Sequence, residues 1–248
     1  MPRQVIVHHH IFKNAGTSLI WALEQQFGAD AVLEWDGEGN QTISALDMRD
    51  FAEKHPEAKA LSSHGVCLGM PSDDSLNFHS IILLRDPIRR IPSMYHFERT
   101  QDAQTPGALA AKKYDIADYV RWRLDERLLT VSNFQTHFCH RQSAADNKRI
   151  TDPLFEDAKA NLTQCLSVGL VEEYDTFLTQ TSERLRGLGM TDIELTSTRA
   201  NTSDQKAEPT ERKQTIDELL GQSLADQLRE VNAYDYALID FAKTSLMA

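Results

Sequence analysis

The residues best suited to chemistry come early in the chain. Val5-Ile6-Val7 begin an apolar run that passes through His8-His9-His10 into the turn Lys13-Asn14-Ala15-Gly16-Thr17-Ser18, and an amphipathic helical pattern follows directly. A strand, a small-residue turn and a helix N-terminus together make an anion site. The first helical amides have no intrahelical acceptor, partial positive charge collects there, and Gly16 admits a ligand oxygen close to the main chain. Lys13 adds a point charge, and Thr17 and Ser18 add hydroxyl donors. A phosphate or sulfate group is the expected occupant, against the plainer reading in which Thr17 or Ser18 only caps the helix. The residue order is not GxxxxGK[ST], because Lys13 precedes Gly16 and the strand before it holds no glycine, so ATP or GTP cradling of the ordinary kind is disfavoured.

A second candidate lies at Arg85-Asp86-Pro87, where the apolar run Phe78 to Leu84 ends and Pro87 opens a helix carrying Arg89, Arg90, Ser93 and Arg99. Such a basic cluster within an acidic chain suits the capture of one small anion. The competing role for these arginines is ion pairing with Asp86 or Glu98. His64-Gly65, at the end of a short strand, supplies a candidate base, since imidazole titrates at about 6.5; His10 is the second choice. Of His8, His9 and His10 at most two share a strand face, and the triplet lacks zinc-ligand spacing, so a structural role is expected and no metal is invoked. Asn133, Gln135 and His137 are candidates for an acceptor pocket or for structural capping.

These residues need a sheet to bring them together. Strands are expected at Val5 onwards, Ala31–Leu33, Lys59–Ser63, Phe78–Leu84 and Ser167–Leu170. Helices are expected after Gly16, over 43–54, from Pro87, over 114–129, from Asp152-Pro153, over 172–188 and over 223–242. The stretch from Thr100 to Gly107 is expected to be a mobile loop able to cover the site, the polar stretch around Asp146-Asn147 a loop, and Thr196 to Glu211 another in which Arg199 and Asn201 are candidate nucleotide contacts. Alternating strands and helices without internal repeats imply an α/β doubly wound, mostly parallel sheet flanked by helices, as one domain over residues 1–248.

Apolar residues at 41% and charged residues at 25% are those of an ordinary globular protein. The net charge of -11 disfavours nucleic acid as a partner. No apolar run reaches a membrane-spanning length and the first strand begins too early for a signal peptide, so a cytoplasmic location away from membranes is expected. Cys67, Cys139 and Cys165 are too widely spaced for a disulfide framework and are expected to be reduced.

HIFKNAGTSL (10–19) resembles the 5′-phosphosulfate loop of sulfotransferases that use 3′-phosphoadenosine-5′-phosphosulfate (PAPS), and ILLRDPIRRIPSMYHF (82–97) resembles their 3′-phosphate motif, in the expected order. SSHGVCLG, NFQTHF and VGLVEEYDTFL resemble later segments, and the likeness points to the branch related to carbohydrate 2-O-sulfotransferases. It implies a P-loop-like architecture in which Lys13, Asn14, Ala15, Gly16, Thr17 and Ser18 hold the 5′-phosphosulfate while Arg85 and Ser93 hold the 3′-phosphate. It further implies catalysis by Lys13 with His64, or else His10, as base, and sulfuryl transfer to a hydroxyl of a carbohydrate or small metabolite. Phe12 stands where the family has proline, and Asn14 where threonine is common. An ATP-dependent kinase and a non-catalytic nucleotide-binding protein are the alternatives.

Overall fold

Alternation along the first strand decides the layering. The computed structural model describes residues 2–37, 42–126, 128–141, 149–197 and 215–247. Its elements run β1 (Arg3–His9), α1 (Gly16–Phe27), β2 (Val32–Glu34), α2 (Ala45–Lys54), β3 (Ala60–Ser63), β4 (Leu76–Leu84), α3 (Pro87–Thr100), α4 (Pro106–Lys113), α5 (Ile116–Asp125), α6 (Phe134–His140), α7 (Asp152–Thr163), β5 (Ser167–Leu170), α8 (Tyr174–Gly187), α9 (Ile216–Leu220), α10 (Gln222–Val231) and α11 (Ala233–Ser245). In β1, Ile6 packs with Leu19 and Leu23 of α1 and with Phe177 and Leu185 of α8. Val5 and Val7 point the other way, onto Met48 and Ala52 of α2. On that same face Ile82 and Leu84 of β4 meet Phe138, Ala158, Leu162 and Leu238 from α6, α7 and α11. Successive strand side chains alternate faces, so one strand serves both layers.

The five strands are all parallel, in the order β2-β3-β1-β4-β5. The sheet is therefore doubly wound, as its alternating elements imply. Helices α3, α4, α5, α9 and α10 share an apolar cluster to which no strand contributes, around Ile91, Met94, Tyr119 and Leu228. Among the described residues no helix is long and apolar enough to cross a membrane.

Several expectations change. The loop expected over 100–107 is confined to residues 101–105, since Thr100 ends α3 and Pro106 and Gly107 open α4, capped by the Thr105 side chain; a Cβ at Gly107 would lie 2.5 Å from the Arg123 guanidinium and 2.6 Å from the Glu98 carboxylate. Gly107 thus packs closely against a buried ion pair. Gln135 and His137 lie on α6, and Asn133 is its N-cap in left-handed conformation. The closing helix is two, broken at Asn232, whose amide donates to the carbonyls of Val131 and Leu228, both at 2.8 Å, and whose Oδ1 accepts the Asn133 amide at 2.9 Å. Helix α5 ends at Asp125, short of Leu129, and α9 was not foreseen. The loops proposed around Asp146-Asn147 and at Arg199 and Asn201 lie outside the described residues.

His8 and His9 are inside the sheet. His8 Nδ1 lies 3.0 Å from Ser62 Oγ on β3, and His9 Nε2 lies 2.9 Å from Ser80 Oγ on β4. Burial holds both imidazoles neutral, His8 well below its ordinary pKa and His9 down to about 4. The unfolded chain binds protons at these positions below about 6.5 and the folded chain does not, so stability falls as pH drops from 7 toward 4. For His9 the loss between pH 7 and pH 5 is about 2 kcal/mol. Urea denaturation at the two pH values should show it, and His9→Gln should remove that share; an unchanged pH slope in the variant refutes the assignment.

Candidate functional site

Strands β1 and β4 are neighbours, and the chain leaves β1 to build one side of the sheet before β4 begins the other. Ligands gather at the carboxyl ends of strands where the winding reverses. There the two sequence-predicted junctions meet: Arg85 Nη1 donates to the Lys13 carbonyl at 2.9 Å.

The turn between them is strained and held. Lys13 and Ala15 both take left-handed backbone, at φ 65° and 59°, without being glycine. Such residues cost about 1–3 kcal/mol each and persist where surroundings over-determine them. The hold comes from Asn14, whose buried amide donates to the Leu83 carbonyl at 2.9 Å and to Gln135 Oε1 at 2.7 Å. Gln135 in turn accepts the Arg85 amide at 2.8 Å and donates to the Arg85 carbonyl at 2.7 Å. The buried Asp235 carboxylate on α11 closes the network by accepting the amides of Gln135 and Thr136, at 3.2 and 2.7 Å, and the Thr136 hydroxyl at 2.8 Å. It thereby caps α6 in place of a local side chain.

The strained turn delivers an open helix end. Ala15 caps α1 with no side-chain hydrogen bond, and the first amide to donate along the helix is Leu19, to the Ala15 carbonyl at 3.1 Å. The amides of Gly16, Thr17 and Ser18 have no intrahelical acceptor. Left-handed residues in a turn that aims successive amides at one point are of the kind that makes concavities suited to anions. A Cβ at Gly16 would sit 1.8 Å from His10 Nε2, so only glycine lets that ring close one wall. Lys13 extends its ammonium to 4.6 Å from the Phe97 ring centroid, and burial followed by the Arg85 guanidinium pulls its pKa below the ordinary value.

The histidines line the β3 side. His8 and His10 share a face, with ring centroids 4.9 Å apart, and His10 lies 3.8 Å from His64. Burial, then His64 and Lys13, push His10 down to about 3. His64 is exposed, and its Nδ1 lies 2.7 Å from the His10 carbonyl. A carbonyl only accepts, so Nδ1 carries the proton and Nε2 is left as the basic nitrogen. The His64 amide donates to Asp36 Oδ1 at 2.6 Å, and its carbonyl accepts from Arg141 at 2.7 Å.

On the α3 side a cleft of about 810 Å³ is lined by Arg85, Arg89, Ser93, His96, Glu172, Arg229 and Tyr236 among others. Ser93 and Arg85 thus share a wall. Arg89 of the expected basic cluster joins them, whereas Arg90 and Arg99 do not. Arg90 is buried, donates to the Thr130 carbonyl and lies 4.7 Å from the Phe134 ring, with burial lowering its pKa to about 10. Arg99 bonds the Tyr95 hydroxyl. Glu98 pairs with Arg123 at 2.5 Å, and with neither Arg85 nor Arg90. Gln135, expected beside an acceptor, is buried in the network below the turn. Asp36, Arg141 and Asp235 escaped the sequence reading because no motif carries them; each acts on a residue far along the chain.

Removing the Asp235 carboxylate strips α6 of its cap and leaves the buried Arg90 without the charge that offsets it. Asp235→Ala should cost about 3–5 kcal/mol in urea unfolding. A loss under about 1 kcal/mol would show that the network is dispensable.

Comparison with known proteins adds kinship. No family model matches the chain. A protein of Archaeoglobus fulgidus described as "Uncharacterized protein" is 30% identical over 245 residues, covering 96% of this chain and 95% of that one. Likeness over nearly the whole of both chains makes them one family, and the chain belongs to the family of that Archaeoglobus fulgidus protein.

Proposed function

We propose that the protein is a PAPS-dependent sulfotransferase that passes a sulfuryl group to a hydroxyl of a carbohydrate or small metabolite. The observation that carries the reading is the meeting of two anion-binding junctions at one switch point, joined by the hydrogen bond from Arg85 to the Lys13 carbonyl. The left-handed turn and the glycine required at position 16 suit an anion pressed against main chain. Lys13 and the amides of Gly16, Thr17 and Ser18 would hold the 5′-phosphosulfate, and Arg85 and Ser93 the 3′-phosphate.

When bound, the nucleotide supplies an activated sulfuryl group whose sulfur takes the acceptor oxygen as its bond to the 5′-phosphate oxygen breaks. Lys13 and the α1 amides provide fixed positive charge for the departing phosphate, which needs no reorganisation at the moment of transfer. His64 Nε2 takes the acceptor proton, with Nδ1 anchored on the His10 carbonyl. His10, buried and depressed to about 3, is a poor base near neutrality and serves as a wall.

Asp36 bonds the His64 amide, so negative charge stands at the base itself. This favours an uncharged acceptor over a polyanionic glycan. A kinase reading finds less support: the strand end beside the turn presents His64, Asp36 is engaged with the His64 amide, and Asp86 caps α3 through the amides of Ile88 and Arg89.

Isothermal titration with adenosine 3′,5′-bisphosphate should show binding that Lys13→Ala and Arg85→Ala each weaken by about tenfold or more. With labelled PAPS and a panel of hydroxylated acceptors, His64→Ala should retain nucleotide affinity and lose about 100-fold in turnover. Absence of nucleotide binding in the parent protein refutes the reading, and full turnover in His64→Ala removes His64 as base.

A further inference from the structure

We infer that Arg141, the residue at the end of α6, is a positioning residue for His64, so that α6 sets the spacing between the anion-binding turn and the base. The inference rests on the sulfotransferase reading for its catalytic consequence, while the contacts stand on their own. The guanidinium of Arg141 lies 4.1 Å from the Phe138 ring centroid and donates to the His64 carbonyl at 2.7 Å. The same peptide segment is held on its other side, where the His64 amide donates to Asp36 at 2.6 Å and Ser63 Oγ to the same carboxylate oxygen at 3.2 Å. Between these two anchors the His64 ring reaches the His10 carbonyl at 2.7 Å.

The opposite end of α6 holds the other half of the site. Gln135 bonds Asn14 at the centre of the strained turn and both backbone groups of Arg85. From Gln135 to Arg141 the helix rises about 9 Å. One short rigid element thus touches the Lys13 turn, the Arg85 junction and the base-bearing strand end. A planar guanidinium held over an aromatic ring has little freedom to wander, so the His64 carbonyl is gripped at a defined place. A base must lie within hydrogen-bond reach of the proton it takes, and a misplacement of about 1 Å can cost about 100-fold.

The test uses the full chain with Arg141→Met and Arg141→Lys. In nitrogen-15 NMR the parent His64 should be the Nδ1-protonated tautomer, and Arg141→Met should show a mixture as the ring leaves the His10 carbonyl. Arg141→Met should bind adenosine 3′,5′-bisphosphate within about threefold of the parent, showing that fold and nucleotide site survive. Its kcat should fall by about tenfold or more. Arg141→Lys, which keeps a donor for the carbonyl, should regain most of the lost turnover. An unchanged His64 tautomer in Arg141→Met, or unchanged kcat in a parent that transfers sulfate, overturns the inference. Absence of sulfuryl transfer in the parent defeats the functional reading instead, and the NMR comparison still decides whether Arg141 holds His64.

Discussion

The site depends on the buried side-chain amide of Asn14. A turn with two non-glycine residues in left-handed conformation is not a state that local sequence selects, and left alone it would relax and let the helix end recede. Asn14 prevents this by donating inward to β4 and to Gln135 at once. Water cannot reach these groups, so each unmade hydrogen bond would carry its full desolvation cost. That cost makes the geometry stiff. The resemblance set Asn14 against a more common threonine, and the structure gives this departure a physical meaning: the two donors of one amide bridge a strand carbonyl and a helix side chain.

Stiffness of this kind is distributed. Gln135 is pinned by Asp235, and Asp235 shares the interior with Arg90. Burial raises the Asp235 pKa while its hydrogen bonds from Thr136 and Gln135, and the charge of Arg90, work against that shift. Burial works against ionisation of Arg90 in the same way, and the proximity of two opposite charges limits the penalty on each. Arg90 is therefore part of the buried foundation, and Arg85 is the arginine that bonds the Lys13 carbonyl within the turn.

The sheet and the anion turn were legible because their signals are local. Ser167–Leu170 is a continuous small-apolar run at strand length, Pro87 announces a helix start, and Lys13 to Ser18 carry their chemistry in adjacent residues. Helix α6 was not legible. Its cap is Asp235, about a hundred residues away, and nothing between Asn133 and His137 replaces it. The break at Asn232 has the same origin, since apolar periodicity from Leu224 to Leu238 continues across it while Asn232 is claimed by Val131 and Asn133. Residue types single out Lys13, Arg85 and His64, which the fold brings to one end of the sheet, whereas Asp36 and Arg141 bond the His64 backbone, which no pattern of side chains encodes.

Burial also settles how three neighbouring histidines can share a site with a lysine and an arginine. Two cations at the 3.8 Å separation of the His10 and His64 rings would repel strongly in a partly desolvated setting. Desolvation removes the conflict by holding His10 at about 3 and His8 lower than its ordinary value, so both are neutral wherever the protein is folded near neutrality. Positive charge beside the turn then comes from Lys13, Arg85 and the open amides of α1, while Arg141 brings a further guanidinium to the His64 carbonyl. His64 is exposed and anchored through Nδ1, which leaves Nε2 free of the His10 carbonyl. His8 and His9 thus serve the sheet, each beside a serine of a neighbouring strand, while the neutral His10 ring stands between Gly16 at the start of α1 and His64.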